Sequence, residues 1–222
     1  MEFTIMGERC SGTHYLQYGL LFNFEVNYVK SYKHFYYTND CMEDIKKNPD
    51  RIYLCVVRDP VEWVDSFFKR LHHVPPENKK SIESFIRNPF YSIHEEGELK
   101  NKEMMEDRHL ITGERYLDIF ELRKVKNDFY LKTLLTLSKN VMIIKYEDIR
   151  DDYEKTLDKI ANRFGLKKKL NTYRPVTQYK GTFIAKYAKK PILLSNEIKK
   201  EIWEKVNKEQ ELELGYSKTE IE

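Results

Sequence analysis

A short apolar run, Phe3-Thr4-Ile5-Met6, passes without a linker into Gly7-Glu8-Arg9-Cys10-Ser11-Gly12-Thr13-His14-Tyr15-Leu16, and this junction constrains the fold more than any other stretch. A strand entering a turn that holds two glycines and two hydroxyl residues, and then an apolar helix, gathers backbone N–H groups into one concavity. The positive end of the helix dipole lies behind them. Ser11 and Thr13 add hydroxyl donors, Gly12 lets the backbone come close to a ligand, and Arg9 supplies fixed positive charge. Such a turn is an anion site.

Two familiar anion loops fail on spacing. A P-loop kinase or NTPase requires G-x-x-x-x-G-K-[ST], with the lysine on the β/γ-phosphates and the hydroxyl on Mg²⁺. Gly7 and Gly12 keep that spacing, but no lysine follows Gly12. A cysteine phosphatase requires an arginine six residues after the nucleophile. Leu16 stands there after Cys10, and Cys55 is followed by Arg58 too soon.

Residues 9–16 resemble the 5′-phosphosulfate loop of sulfotransferases that use 3′-phosphoadenosine-5′-phosphosulfate (PAPS), which carry a Pro-Lys-Ser-Gly-Thr-x-aromatic-Leu type of sequence. Ile52-Tyr53-Leu54-Cys55-Val56-Val57-Arg58-Asp59-Pro60, with Trp63 and Ser66, is similar to that family's 3′-phosphate motif. There an arginine ends a strand and a serine follows eight residues later, as Ser66 follows Arg58. Val141-Met142-Ile143-Ile144-Lys145-Tyr146-Glu147-Asp148-Ile149, then Thr156, Leu157, Ile160 and Phe164-Gly165-Leu166, resemble the family's strand–Tyr-Glu-Asp–helix segment. The ending Glu211-Leu212-Glu213-Leu214-Gly215-Tyr216 is also similar.

The resemblance implies a P-loop-like sulfotransferase fold, with PAPS as donor, adenosine 3′,5′-bisphosphate (PAP) as product and no metal. Arg9, Cys10, Ser11, Gly12, Thr13, His14 and Tyr15 would then line the 5′ end of the nucleotide. Arg58 and Ser66 would grip the 3′-phosphate, and Tyr146 would contact the adenine. Tyr179-Lys180-Gly181 resembles a late Arg-Lys-Gly segment, so Lys180 and Gly181 join the 3′-phosphate set, although the usual Gly-x-x-Gly continuation is absent. Many sulfotransferases place a catalytic His or Glu after the second strand, where His34 stands. One departure matters: Cys10 fills the slot of the loop lysine. Either Arg9, which stays charged and can bind two oxygens at once, or Lys33 supplies that charge. The departure keeps open an inactive sulfotransferase-like nucleotide-binding protein, with a P-loop kinase as the other alternative.

Strand signals fall near 3–7, 27–33, 52–58 and 140–146, the last two almost wholly apolar or β-branched, as buried parallel strands are. Helices are predicted over 13–23, 61–70, 116–138, 152–164 and 196–211. Pro60 suits a first helical turn, and Gly165 suits the residue after a helix end. Alternating strand and helix gives an α/β three-layer sandwich around a central parallel sheet, whose ligands bind beyond the carboxyl ends of the strands. With 222 residues, a single domain over 1–222 is expected. The segment around 72–115 carries Pro75-Pro76, Asn88-Pro89, Gly97 and Gly113 and only a short helix near 82–87, which suits a lid or acceptor-binding region.

Lys and Arg number 39 against 36 Asp and Glu, a balance that argues against a nucleic-acid partner. No apolar run is long enough to span a membrane and no signal peptide is evident, so a cytoplasmic location is expected. Three cysteines make no disulfide framework, and His72-His73 lacks the company a metal site needs. The expected partner is a small-molecule or glycan acceptor of unspecified chemistry.

Overall fold

The computed structural model describes residues 1–179, 182–183 and 187–218. Four strands, β1 (Glu2–Met6), β2 (Asn27–Tyr28), β3 (Ile52–Val57) and β4 (Val141–Lys145), form an all-parallel sheet in the order β2-β1-β3-β4. Phe3 pairs with Ile52 and Met6 with Cys55, while Tyr53 pairs with Val141 and Val57 with Lys145. Phe3, Ile5, Ile52, Leu54 and Val56 join one apolar cluster with Leu16 and Leu20 of α1 (Thr13–Asn23) and Leu157 and Ile160 of α8 (Tyr153–Phe164). The alternate residues Thr4, Met6, Tyr53, Cys55 and Val57 are buried as well, so the central strands are covered on both faces. This is why β3 reads as a continuous apolar run rather than an alternating one.

The strand order sets where the crossovers part. The chain leaves β1 for β2 on one side, then returns past β1 to lay β3 on its other side. The crossovers therefore diverge between the carboxyl ends of β1 and β3, and such a switch point opens a crevice in parallel sheets. Gly7 follows β1 there and Arg58 follows β3.

Contacts divide the chain into two compact units. The first comprises Met1–Tyr36, Glu43–Arg58 and Leu134–Pro191, and the second comprises Tyr37–Met42, Asp59–Thr133 and Ile192–Glu222. The sheet lies wholly in the first. The second begins with α3 (Pro60–Phe68), which Asp59 caps by accepting from the Val61 and Glu62 amides at 2.9 and 3.0 Å. Its core is aromatic: Phe67 meets Phe85 of α4 (Ile82–Arg87) edge-on at 5.1 Å, with Phe90 beside both. Buried charge is paired. Arg123 of α5 (Ile119–Asp128) donates from Nε and Nη2 to Glu211 of α10 (Lys208–Glu213) at 2.6 and 2.7 Å, and Lys126 meets Asp107 at 2.9 Å. Residues 72–115 hold little regular structure, yet backbone bonds such as Met104 N–H to Ser92 C=O and Phe90 N–H to Tyr116 C=O tie them together.

Several elements differ from sequence expectation. The second strand covers only Asn27–Tyr28; past it Val29 still donates to the Phe3 carbonyl and its own carbonyl accepts from Thr4 Oγ1, and Tyr32 adopts a positive φ of 42° that breaks the extended run. The helix expected over 116–138 starts only at Ile119, behind an Asp118 cap, and passes through a wide π turn at Phe129–Thr133 into α6 (Leu134–Leu137). The last predicted helix splits at extended Val206 into α9 (Asn196–Lys205) and α10, which Asn207 caps. α2 (Asn39–Lys47) was not anticipated.

The buried pair sets a stability test. Glu211→Ala strips the bidentate partner from a guanidinium inside the second unit and should cost about 3–5 kcal/mol. Arg87→Ala breaks an exposed pair with Glu201 and should cost no more than about 1 kcal/mol. Urea unfolding of the two variants checks the contrast.

Candidate functional site

Gly7 is held from both sides. Its N–H donates to the Lys33 carbonyl at 3.0 Å, and its carbonyl accepts from His34 Nδ1 at 2.6 Å. A Cβ on Gly7 would lie 2.5 Å from Thr13 Cγ2, 2.7 Å from Ser11 Oγ and 3.0 Å from the Val56 carbonyl, so the turn closes only over glycine. Gly12 precedes α1 with φ 97°, and a Cβ there would strike the Tyr146 ring at 2.2 Å. With glycine at the cap, α1 has no side-chain cap. The Gly12 and Thr13 amides have no protein acceptor among the described residues, and neither has the Ser11 hydroxyl, whose residue is 2% exposed. A buried hydroxyl without a partner costs free energy unless something else takes its hydrogen bond. Amides and hydroxyl at one helix start suit an anion.

Cations sit around this loop in different states. Arg58 donates from Nη1 to the Cys10 carbonyl at 3.1 Å and stacks at 4.4 Å on the ring of Tyr146, the first residue of α7 (Tyr146–Asp151). Tyr146 thus opens α7 directly after the carboxyl end of β4. Arg9 is fully buried: its backbone N–H and Nε both donate to Glu8 Oε1 at 2.7 Å, and its guanidinium lies over Phe35. Glu8 therefore compensates the charge of Arg9. Lys33 is half-exposed and reaches His14 Nδ1 at 3.4 Å and Gln17 Oε1 at 3.2 Å. Of the two candidates for the missing loop lysine, Lys33 is the more accessible and Arg9 the one ion-paired within the loop.

A carbonyl can only accept, so the short contact to Gly7 assigns the His34 proton to Nδ1 and leaves the lone pair on Nε2. Burial lowers its pKa to about 3, with the Gly7 hydrogen bond and Glu8 acting in the opposite direction. The ring is neutral at physiological pH. Tyr15, on the first turn of α1, stacks on Tyr187 at 3.8 Å and on Tyr153 at 5.5 Å, and burial pushes its hydroxyl pKa up.

The structure thus gathers Arg9, Cys10, Ser11, Gly12, Thr13, His14, Tyr15, Lys33, His34, Arg58 and Tyr146 in the first unit. Ser66 is half-buried on α3 in the second unit. Lys180 and Gly181 lie outside the described residues. Sequence reasoning missed Glu8, the partner of Arg9, and Gln17, the partner of Lys33. Gln17 was detectable in principle, being one helical turn beyond His14 on the same face of α1. Among the described residues no group of three or more His, Cys, Asp or Glu is arranged to hold a metal, and no helix is long and apolar enough to cross a membrane. Comparison with protein-family models, curated proteins and solved structures returns no match.

The lowered pKa of His34 has a definite sign in stability. Protonation favours the unfolded chain, so the neutral ring's contribution is complete above the ordinary imidazole value of about 6.5 and is lost as pH falls below it. NMR of the imidazole should show no titration of His34 between pH 8 and 5. A midpoint near the ordinary value would contradict the neutral, Gly7-bound ring.

Proposed function

We propose that this chain is a sulfotransferase, which takes PAPS at the loop after β1 and passes its sulfuryl group to a hydroxyl or amine of a small molecule or glycan. The observation that supports this best is the buried Ser11 hydroxyl, which has no partner among the described residues and is set at an uncapped helix start beside Arg58. The absence of lysine after Gly12 favours a sulfuryl donor over a P-loop nucleoside triphosphate. Arg58, directly after β3, stands where the resemblance to sulfotransferases puts the arginine of the 3′-phosphate motif.

Each residue then has a task. The Gly12 and Thr13 amides and the Ser11 hydroxyl hold the 5′ phosphosulfate oxygens, and Tyr146 offers an aromatic face for the base. Arg58 binds the 3′-phosphate as a fixed fork, already oriented by the Cys10 carbonyl and the Tyr146 ring. Lys33 steadies the charge that builds on the leaving oxygen, and His14 and Gln17 position its ammonium. The acceptor oxygen or nitrogen bonds to sulfur as the bond from sulfur to the bridging phosphate oxygen breaks. The electron pair leaves with the bisphosphate, and the acceptor proton goes to His34 Nε2. A ring held at so low a pKa is a weak base, so this proton moves late, once bonding to sulfur has acidified the acceptor. Positioning and preorganised charge supply the rate.

The test combines binding with transfer. Calorimetry should show adenosine 3′,5′-bisphosphate binding that Arg58→Ala weakens by about 1.5–3 kcal/mol, the worth of a charged hydrogen bond. Radiolabelled sulfate should pass from PAPS to a member of an acceptor panel. Unchanged affinity in the variant removes the nucleotide site. Tight bisphosphate binding without transfer to any acceptor class leaves a nucleotide-binding protein and no transferase.

A further inference from the structure

Cys10 occupies the tip of the anion loop with φ 63°, a backbone region that favours glycine, and its residue is partly exposed. The other two cysteines, Cys41 and Cys55, are fully buried. Cys10 follows Arg9, lies two residues before the Gly12 cap of α1, and its own carbonyl receives Arg58 Nη1. Arg58 therefore lies against the Cys10 backbone at the start of α1, and partial exposure of the residue gives a disulfide reagent access. The second, independent feature is the Ser11 hydroxyl, buried and without a partner among the described residues, with Oγ turned across the loop to within 2.7 Å of where a Gly7 Cβ would lie. That hydroxyl marks the loop as a place for an anion, and Cys10 is the adjoining residue.

We propose that Cys10 is a thiol-modification site at which mixed-disulfide formation and anion binding exclude one another, so that thiol redox state regulates the loop. This rests on the assignment of residues 7–14 as the anion site. The Cys10 thiolate attacks one sulfur of oxidised glutathione. A Cys10–glutathione S–S bond forms, the glutathione S–S bond breaks, and the departing glutathione thiolate carries away the electron pair and then takes a proton from water. The glutathionyl group brings bulk and carboxylates to the entrance of a site built for negative charge, and a reduced thiol reverses the step. Conversely, an anion seated on the loop repels a thiolate and covers its approach.

Native protein is incubated with oxidised glutathione, and the modified peptide is identified by mass spectrometry, with Cys10→Ser as the assignment control. Cys10 should be modified while Cys41 and Cys55 are spared, and dithiothreitol should restore the thiol. Adenosine 3′,5′-bisphosphate at ten times its measured Kd leaves about one-tenth of the sites open and should slow modification about tenfold. Inorganic sulfate is tested in parallel. Protection by sulfate from a protein that does not bind the bisphosphate supports Cys10 as an anion-guarded thiol and removes PAPS as the donor. Modification of Cys41 or Cys55 as fast as Cys10, an inert Cys10, or rates unchanged by saturating bisphosphate and sulfate alike would overturn the proposal.

Discussion

The candidate site depends on the fastening of Gly7. Two hydrogen bonds, N–H to the Lys33 carbonyl and carbonyl to His34 Nδ1, tie the turn after β1 to the chain that follows β2. They determine where the loop can run. They also fix the tautomer of His34 and bring Lys33 over the start of α1, where its ammonium finds His14 and Gln17. Because any Cβ at Gly7 would collide with Ser11, Thr13 and Val56, the same contact explains why Ser11 ends up enclosed. A second fastening, Arg58 Nη1 to the Cys10 carbonyl, holds the far side of the loop to the carboxyl end of β3. The loop is therefore built from backbone constraints at the switch point of the sheet.

Charge compensation shapes what this loop can do. Arg9 enters the interior only because Glu8 takes both its amide and its Nε, as a buried guanidinium requires. The pair is close to neutral, and so adds less field to the concavity than an isolated arginine would. Positive charge toward solvent is left to Lys33 and Arg58, both half-exposed. This division leaves two oriented cations at the edge of the loop. The second unit follows the same rule with Arg123–Glu211 and Lys126–Asp107, where buried ions are satisfied in pairs.

Much of the fold was legible because its strongest elements are local. The apolar runs at 52–57 and 141–145 became β3 and β4, and the glycine–hydroxyl turn marked the start of α1 at Thr13. Where sequence reasoning failed, side chains competed with the backbone. Thr4 Oγ1 donates to the Val29 carbonyl just past the second strand, Asp118 and Asn207 reset helix starts, and α2 shows only Cys41 and Ile45 as fully buried apolar anchors in a charged stretch. The candidate site was partly legible: its loop residues were read from the glycine–hydroxyl turn after β1, and Arg58 from the resemblance to the sulfotransferase 3′-phosphate motif. The sequestering of Arg9 by its own neighbour was not, because no periodic pattern distinguishes an adjacent Glu-Arg pair that folds inward from one that faces water. The partition of Arg58 and Ser66 between two units was likewise invisible in a spacing of eight residues.

The central claim is that the loop after β1 keeps a buried hydroxyl and backbone amides in reserve for an anion. Ser11→Ala tests it most directly, because one change should move stability and binding differently. Removing a buried hydroxyl that has no partner among the described residues should leave the melting temperature of the ligand-free protein unchanged or slightly raised. Affinity for adenosine 3′,5′-bisphosphate and for inorganic sulfate, measured by calorimetry, should fall about fivefold, the worth of roughly 1 kcal/mol from one neutral hydrogen bond. A variant that loses stability while binding both anions as tightly as the parent would contradict the account, since Ser11 would then serve the fold and not the site.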